Sequence, residues 1–352
     1  MPALPKQQVR IAGLDGLRGV AATLVFIEHF LFKGLGDFGV YLFFVLSGFL
    51  IVGILHKQRL KIELNGQHGI SKEFFSFWSR RIRRIFPIYY LALLFVLIVQ
   101  IGILHQRGLY ENGLNFYFLM LGNFYVQHFA HHWSWFSHLW SISPEQQFYM
   151  LASPLLLFIS SRFHGKLLAA WFLFSACAFC ADLFYSDGVN VPYLTSRSLF
   201  LFMTAGGFLA ISVGTAKKRK ALNAWVAVLG IVCTLAIGIM WNTSDKWNPC
   251  YIGCFWLCSL TAGVGSIRYL YCFQTSWAAR CLDCPPLRYL GTISYGFYVY
   301  HYFITIVMTY IPGNRALQRT GHLLYPIMEY AMTVAIASVS WEFFEKKILR
   351  RV

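Results

Sequence analysis

The chain has 352 residues, of which 57% are hydrophobic and 12% are charged, and its formal net charge at pH 7 is +16. A soluble domain carries about 25% charged residues, so this composition excludes an ordinary soluble protein. Apolar runs long enough to cross a bilayer predict an all-α fold, a polytopic transmembrane helical bundle of about ten spans.

The predicted spans follow one another along the whole chain. They are 14–33, 38–56, 86–104, 145–160, 167–185, 195–213, 221–241, 249–265, 289–311 and 322–341. A further apolar stretch, 114–128, is short and polar in places, and we predict a partly buried or re-entrant outer segment there. The N-terminus has no signal-peptide cleavage pattern, so we expect the first span to be retained.

Lysine and arginine residues indicate the orientation of the bundle. With the N-terminus inside, most of the 30 fall in inner loops, including the runs at 80–84, 217–220 and 346–351. Because inner loops are enriched in these residues, both termini are predicted to be cytoplasmic. The positive charge is therefore a signal of topology and of attraction to inner-leaflet lipids, and no nucleic-acid partner is expected.

The first span contains Arg18 and His29, and ionisable residues inside spans are costly and usually functional. Eleven residues bring the helix within about 20° of three full turns, so both side chains are predicted to share one face. Their separation along the axis is about 16 Å.

The segment before the third span holds Arg81 and Arg84, three residues apart and therefore on one helix face. One interpretation is a topology anchor with side chains that reach the membrane surface. The other is bidentate binding of phosphate groups on a cytoplasmic donor such as an acyl coenzyme A.

A histidine- and tryptophan-rich segment precedes the span at 145–160. Ser143 is predicted to cap this helix, and Glu145 then falls in its first turn, where the helix dipole favours an anion. Ser141 and Glu145 are close in sequence, and His131, His132 and His138 crowd the same outer loop. The tryptophans, Trp140 among them, suit either an interfacial belt or stacking on sugar rings.

Three later residues complete the candidate set. Arg197 begins a span and is either an interfacial anchor or a charge at the outer site. Tyr298 and His301 lie within the span at 289–311. A lone histidine in a helical bundle is more often a hydrogen-bonded packing residue, but a position inside the membrane favours a functional role. The nine cysteines do not form the paired pattern of a zinc site, so no metal is predicted.

Five segments together resemble the membrane acyltransferase-3 family over essentially the whole chain. They are LDGLRGVAATLVFIEHF, FGVYLFFVLSGFLI, RRIRRIFPIYY, LWSISPEQQFY and LGTISYGFYVYH. The family's Arg-x10-His motif falls on Arg18 and His29, and its Arg-x-x-Arg motif on Arg81 and Arg84. Its Trp-Ser-x-x-x-Glu segment falls on Trp140, Ser141 and Glu145. Family members often have Arg-Pro after a late glutamate, whereas Glu345 is followed by two lysines here.

The resemblance implies a single integral membrane domain, 1–352, in a bacterial-type inner (cytoplasmic) membrane. It implies an O-acyltransferase that moves an acyl group, with acetyl the first expectation, from cytoplasmic acyl-CoA to a hydroxyl of an extracytoplasmic or lipid-linked glycan. The expected acceptors are O-antigen of lipopolysaccharide, exopolysaccharide or a glycan intermediate. No esterase-like segment is present in the 352 residues, so we expect the acceptor to be modified directly.

The predicted mechanism assigns roles to these residues. Arg18, Arg81 and Arg84 would bind the acetyl-CoA phosphates, and His29 would act as general base or as the site of a covalent acyl group. Glu145 and Ser141 would complete the catalytic set. The predicted acceptor-binding residues are Trp140, His138, Arg197, Tyr298 and His301. The alternative function is a glycan or lipid transporter or flippase, which would also explain charges inside the membrane.

Overall fold

The computed structural model describes residues 10–29, 35–66, 69–99, 113–130, 135–185, 194–213, 220–241, 248–310 and 324–350. Within these residues the chain is helical and contains no strand. This confirms the all-α prediction for the described part of the chain.

The N-terminal half begins with three long helices, α1 (Leu14–Glu28), α2 (Leu35–Leu64) and α3 (Ile70–Ile98). Two short helices follow, α4 (Leu114–Phe118) and α5 (Gly122–His128), and they occupy the predicted re-entrant stretch. A 3-10 helix (Ser137–Ser141) then leads into α6 (Ile142–Phe158). The stretch 114–128 therefore does not form one continuous helix.

The rest of the described chain continues with further helices. After a 3-10 turn (Ser161–Phe163) come α7 (His164–Tyr185), α8 (Ser196–Ser212), α9 (Lys220–Trp241) and α10 (Pro249–Cys272). They are followed by α11 (Trp277–Leu282), α12 (Pro285–Tyr310) and α13 (Leu324–Ser340). A π-helical turn (Trp341–Glu345) and α14 (Lys346–Arg350) end the described chain.

Four described helical segments are long and apolar enough to cross a membrane. They are Leu35–Leu64, Ser161–Phe184, Leu222–Met240 and Pro249–Cys272, and the 17-residue helix Ser196–Ser212 is also apolar. The structure thus supports a protein with several membrane-spanning helices. The count of about ten spans and the cytoplasmic position of both termini stay predictions.

Two predicted helix starts differ from the structure. The helix that was predicted to begin at Pro144 with Ser143 as its cap begins at Ile142, because the preceding 3-10 helix already supplies helical backbone. Ser143 instead accepts a hydrogen bond from the Gly122 backbone N–H at 3.0 Å. The span predicted to start at 86 belongs to α3, which begins at Ile70 and continues through Pro87.

Glycines bring α1 and α12 into direct backbone contact. A Cβ on Gly291 would lie 1.7 Å from the Asp15 carbonyl oxygen, and one on Gly19 would lie 2.8 Å from the Leu287 carbonyl oxygen. Small residues at helix interfaces permit this kind of close approach in membrane bundles. The separation of α1 and α12 is therefore fixed by residues that no larger side chain can replace without displacing backbone.

Candidate active site

A cavity of about 90 Å³ lies between α1, α2, α3, α6 and α12, and it is partly open to the surroundings. Each of the five helices contributes polar side chains to its wall. These are Arg18, Ser47, Arg81, Arg84, Ser141, Glu145, Tyr149, Ser294, Tyr295 and Tyr298. We call this space the central cavity.

Three guanidinium groups face the central cavity. Arg18 of α1 lies near enough to Arg81 and Arg84 of α3 for like-charge repulsion. The Arg81 guanidinium also lies 5.9 Å from the Phe77 ring centre and 5.8 Å from the Tyr149 ring centre, at cation–π distance. None of the three forms an ion pair within 4.0 Å with a carboxylate of the described residues.

This arrangement confirms that Arg81 and Arg84 lie on one face of α3, and Arg18 of α1 lines the same cavity. The topology-anchor interpretation does not require the arginines of two helices to converge on one cavity. Their exposed neighbour Arg80 shows the contrast, because it bonds Ser76 one turn away on the same helix and does not line the cavity. The cavity thus carries excess positive charge, which suits an anionic ligand.

Glu145 is the carboxylate in the cavity wall, and its Oε1 atom accepts hydrogen bonds from the hydroxyls of Ser47 and Tyr149. Its Oε2 atom has no hydrogen-bond partner within the described part of the chain. The two hydroxyls fix the orientation of the carboxylate and leave one oxygen for a ligand.

Ser141 and Tyr298 also line the cavity, and their hydroxyl oxygens are 2.6 Å apart. The Tyr298 hydroxyl donates its single proton to the His138 carbonyl oxygen at 2.5 Å. Ser141 must therefore be the donor in its hydrogen bond with the Tyr298 hydroxyl. This chain of hydrogen bonds ties the 3-10 helix to α12 and leaves oxygen lone pairs toward the cavity.

His29 lies at the C-terminal cap of α1, outside the wall of the central cavity. Its Nε2 atom is 3.2 Å from the Nε2 atom of His301 on α12. The His301 Nδ1 atom is 2.5 Å from the Tyr298 carbonyl oxygen, which can only accept. Nδ1 of His301 therefore carries a proton, and in the neutral pair its Nε2 accepts from Nε2–H of His29.

This assignment leaves Nδ1 of His29 as an unprotonated nitrogen. Tyr298, which positions His301, also lines the central cavity, and the two residues lie three positions apart on α12. The histidine pair is thus about one helical turn from the cavity wall. The predicted pairing of Arg18 and His29 on one face is seen as two side chains of α1 that both approach α12.

Other predicted acceptor-binding residues lie elsewhere. Trp140 is only 5% exposed and belongs to the hydrophobic core, so it offers no free ring for a sugar. His138 is also buried, with Nε2 donating to the Val299 carbonyl at 3.0 Å and its ring against Phe303. Arg197 lines a different cleft and pairs with Asp182. His131 and His132 lie outside the described residues.

The geometry and the motifs agree with a comparison to known proteins. The profile of the acyltransferase-3 family, described as an acyltransferase domain, matches residues 11–342. The chain belongs to the acyltransferase-3 family. No solved structure matches it.

Three relatives are proteins of Bacillus subtilis, Listeria monocytogenes and Staphylococcus aureus. The chain is 28% identical to YrhL of Bacillus subtilis (strain 168), over 96% of this chain and 55% of YrhL. It is 27% identical to the peptidoglycan O-acetyltransferase OatA of Listeria monocytogenes, over 96% and 56%. It is 24% identical to the O-acetyltransferase OatA of Staphylococcus aureus, over 97% and 57%. The chain thus spans a little over half the length of these relatives.

Sequence reasoning did not single out two buried acids in the acyltransferase-3 chain. Asp182 of α7 and Glu329 of α13 are 7% and 0% exposed. Glu329 accepts from the Thr305 hydroxyl at 3.2 Å, one turn beyond His301. Both are lone acids in apolar spans, so the criterion that selected Arg18 and His29 would also have found them.

Proposed function

We propose that this chain is an O-acetyltransferase that moves an acetyl group from acetyl-CoA to a hydroxyl of an extracytoplasmic glycan. The observation that carries the proposal is the convergence of Arg18, Arg81 and Arg84, without carboxylate partners among the described residues, on one cavity. The relatives named OatA are O-acetyltransferases, one of them of peptidoglycan, which supports acetyl as the group and a glycan of the peptidoglycan type as the first acceptor to test.

The central cavity fits the donor in charge. Guanidinium groups bind phosphate oxygens in bidentate fashion, and three of them would match the phosphates of coenzyme A. The wall between the arginines and Tyr298 is largely apolar. This wall would accommodate the uncharged pantetheine arm and direct the thioester toward Ser141 and Glu145.

The proposed transfer needs a base for the acceptor hydroxyl. Nδ1 of His29 would take that proton while the hydroxyl oxygen attacks the thioester carbonyl carbon. The carbon–sulfur bond then breaks, and the thiolate of coenzyme A leaves with the electron pair. His301 would hold His29 in the reactive tautomer, as orienting partners of catalytic histidines do. Glu145, with one free carboxylate oxygen, would orient the acceptor.

The decisive experiment measures acetyl-CoA binding and acetyl transfer in purified protein reconstituted in lipid. Arg18→Gln, Arg81→Gln and Arg84→Gln should each weaken acetyl-CoA binding by about tenfold, the loss of roughly one charge-assisted contact. Arg80→Gln is the matched control, because it removes the same charge from α3 outside the cavity. Arg59 is unsuitable as a control, since it is 3% exposed and pairs with Glu63.

Equal losses in Arg80→Gln and Arg84→Gln would contradict the donor site and restore the topology-anchor interpretation. The transporter alternative is tested with the same preparation. Movement of a glycan across proteoliposomes without acetyl-CoA would favour transport, whereas acetylation that depends on acetyl-CoA favours the enzyme.

A further inference from the structure

A second polar cleft lies between α5, α6, α7 and α8, on the far side of α6 from the central cavity. Its volume is about 530 Å³ and it is partly open, and we call it the lateral cleft. Phe124, Gln147, Asp182, Ser196 and Arg197 line it. Glu145 and Gln147 are two residues apart on α6, about 200° around the helix, so α6 separates the two sites.

An ion pair fixes one wall of the lateral cleft. Asp182 is 6% exposed in its side chain and Arg197 is 59% exposed, and the Arg197 guanidinium donates to both carboxylate oxygens. Hydroxyls of Thr195 and Ser198 also donate to Asp182, each at 2.6 Å. Donors of the protein itself thus hydrogen-bond both oxygens of the Asp182 carboxylate, and the guanidinium is held in one orientation.

The remaining N–H groups of Arg197 have no partner in the described ranges of the chain, and they face open space. Asp182 cancels the charge of Arg197, so the pair presents hydrogen-bond donors with little net charge. This differs from a site for phosphate, where unpaired cations are needed. A neutral ligand rich in oxygen acceptors is the better match.

Amide side chains make the neighbouring wall rigid. The Gln147 amide nitrogen donates to Asn123 Oδ1 at 3.0 Å, and the Asn123 amide nitrogen donates to Ser196 Oγ at 2.9 Å. Ser196 Oγ donates in turn to Gln147 Oε1 at 2.5 Å. The three side chains form a closed ring that joins α5, α6 and α8, so the wall keeps its shape without a ligand.

An exposed ring lies beside this polar wall. Phe124 of α5 is 45% exposed, and its ring centre is 4.4 Å from the ring of the exposed His128. A pyranose has an apolar face of C–H groups and a rim of hydroxyls, so it could contact a ring and polar groups together. Aromatic side chains provide large rigid contact surfaces of this kind.

We propose that the lateral cleft binds a saccharide unit of the acceptor glycan at a distance from the reacting hydroxyl. The ring of that unit would pack on Phe124, and its hydroxyl or acetamido oxygens would accept from Arg197. This inference rests on the proposed function, in which the acceptor is a glycan. One helix thickness, about 10–12 Å, separates the two sites, a distance that a glycan of a few units can cover.

The test measures binding of soluble oligomers of β-1,4-linked N-acetylglucosamine to the reconstituted protein, without acetyl-CoA. A pentamer is compared with the single sugar. Phe124→Ala and Arg197→Gln should each weaken pentamer binding by about tenfold. The KM for acetyl-CoA should not change in either variant. Phe184→Ala is the control, because it removes a ring that is 76% exposed on α7 outside the cleft.

Folding is checked by thermal unfolding, and Phe124→Ala keeps the test valid if Arg197→Gln does not fold. Unchanged pentamer binding in folded Phe124→Ala, or an equal loss in Phe184→Ala, overturns the proposal. The proposal is also overturned if the wild-type protein binds no oligomer. It is overturned as well if anionic-lipid vesicles compete with the pentamer for Arg197.

The two proposals can fail separately. If pentamer binding depends on the lateral cleft but the protein transfers no acetyl group, the proposed function is wrong and the saccharide site in the cleft is supported. If acetyl transfer depends on Arg84 but pentamer binding does not change in the Phe124 and Arg197 variants, the proposed function is supported and the saccharide site is wrong.

Discussion

The central cavity and the lateral cleft both use arginine, but in opposite electrostatic settings. In the central cavity, Arg18, Arg81 and Arg84 repel one another and lack ion pairs with the described carboxylates. In the lateral cleft, Arg197 is paired with a buried aspartate that two hydroxyls also support. In both sites, the net charge that remains after ion pairs within the protein are counted indicates the charge of the ligand, whereas the presence of arginine alone does not. Excess charge suits an anionic donor, and balanced charge suits a neutral saccharide.

The largest expected effect comes from His29, the proposed general base, and not from any of the arginines. His29→Gln should lower kcat for acetyl transfer by about 10³-fold, within the range for a lost general base. Acetyl-CoA binding at equilibrium should not change, because His29 lies outside the wall of the central cavity. Steady-state kinetics and a binding measurement check this. Retention of most of the wild-type kcat would eliminate His29 as the base.

A smaller loss is expected when the orienting histidine is replaced. His301→Phe removes the acceptor that faces His29 and should reduce kcat by about 10- to 100-fold. His301→Gln should retain more activity, because its amide oxygen can still accept from His29. Nitrogen NMR of labelled histidine provides a readout that simple loss of packing would not give. Nε2 of His29 should be protonated in the wild type and mixed in His301→Phe, and identical spectra would contradict the role of His301.

The two arginine settings should differ in their contribution to folding stability. Arg197→Gln removes the ionic partner of buried Asp182, and we expect about 1 kcal/mol of destabilisation because Arg197 is largely exposed and two hydroxyls remain. Arg84→Gln relieves repulsion and should not destabilise the protein. Thermal unfolding of both variants in the same detergent measures the difference. A lower unfolding temperature for Arg84→Gln than for Arg197→Gln would invalidate the comparison.

The smallest effect separates the two ligands by salt. Raising the NaCl concentration should weaken acetyl-CoA binding by a few fold, because salt screens attraction between separated charges. Pentamer binding should be nearly unaffected, since the lateral cleft has little net charge. Titrations of one protein preparation at several salt concentrations test both. A parallel salt response of the two ligands would show that the sites are not distinguished by charge.

Much of the helical framework was predictable, because long apolar runs determine where membrane helices can form. The span predicted at 195–213 is observed as Ser196–Ser212, and the one at 167–185 as His164–Tyr185. Helix starts were harder, as Ser143 shows, because a 3-10 turn upstream can begin the helix before the apparent cap. Local sequence does not reveal such a continuation.

The relative positions of site residues were predictable for residues on the same helix. They were not predictable where tertiary packing determines whether a side chain is buried and which cavity it lines. The three-residue spacing of Arg81 and Arg84 was enough to place both on one face. Trp140 was predicted at an acceptor surface, but packing against the core buries it, and Arg197 belongs to a separate cleft. Asp182 was missed although its isolation in an apolar span was visible in the sequence.

The glycine contact between α1 and α12 has a consequence for how the protein could change its substrate. Those two helices carry Arg18, His29, Tyr298 and His301, and backbone contact at Gly19 and Gly291 sets their spacing. Substitutions on α5, α7 and α8 can reshape the lateral cleft without moving that pair. Acceptor preference could therefore diverge among descendants of this chain while the chemistry of the transfer is inherited unchanged.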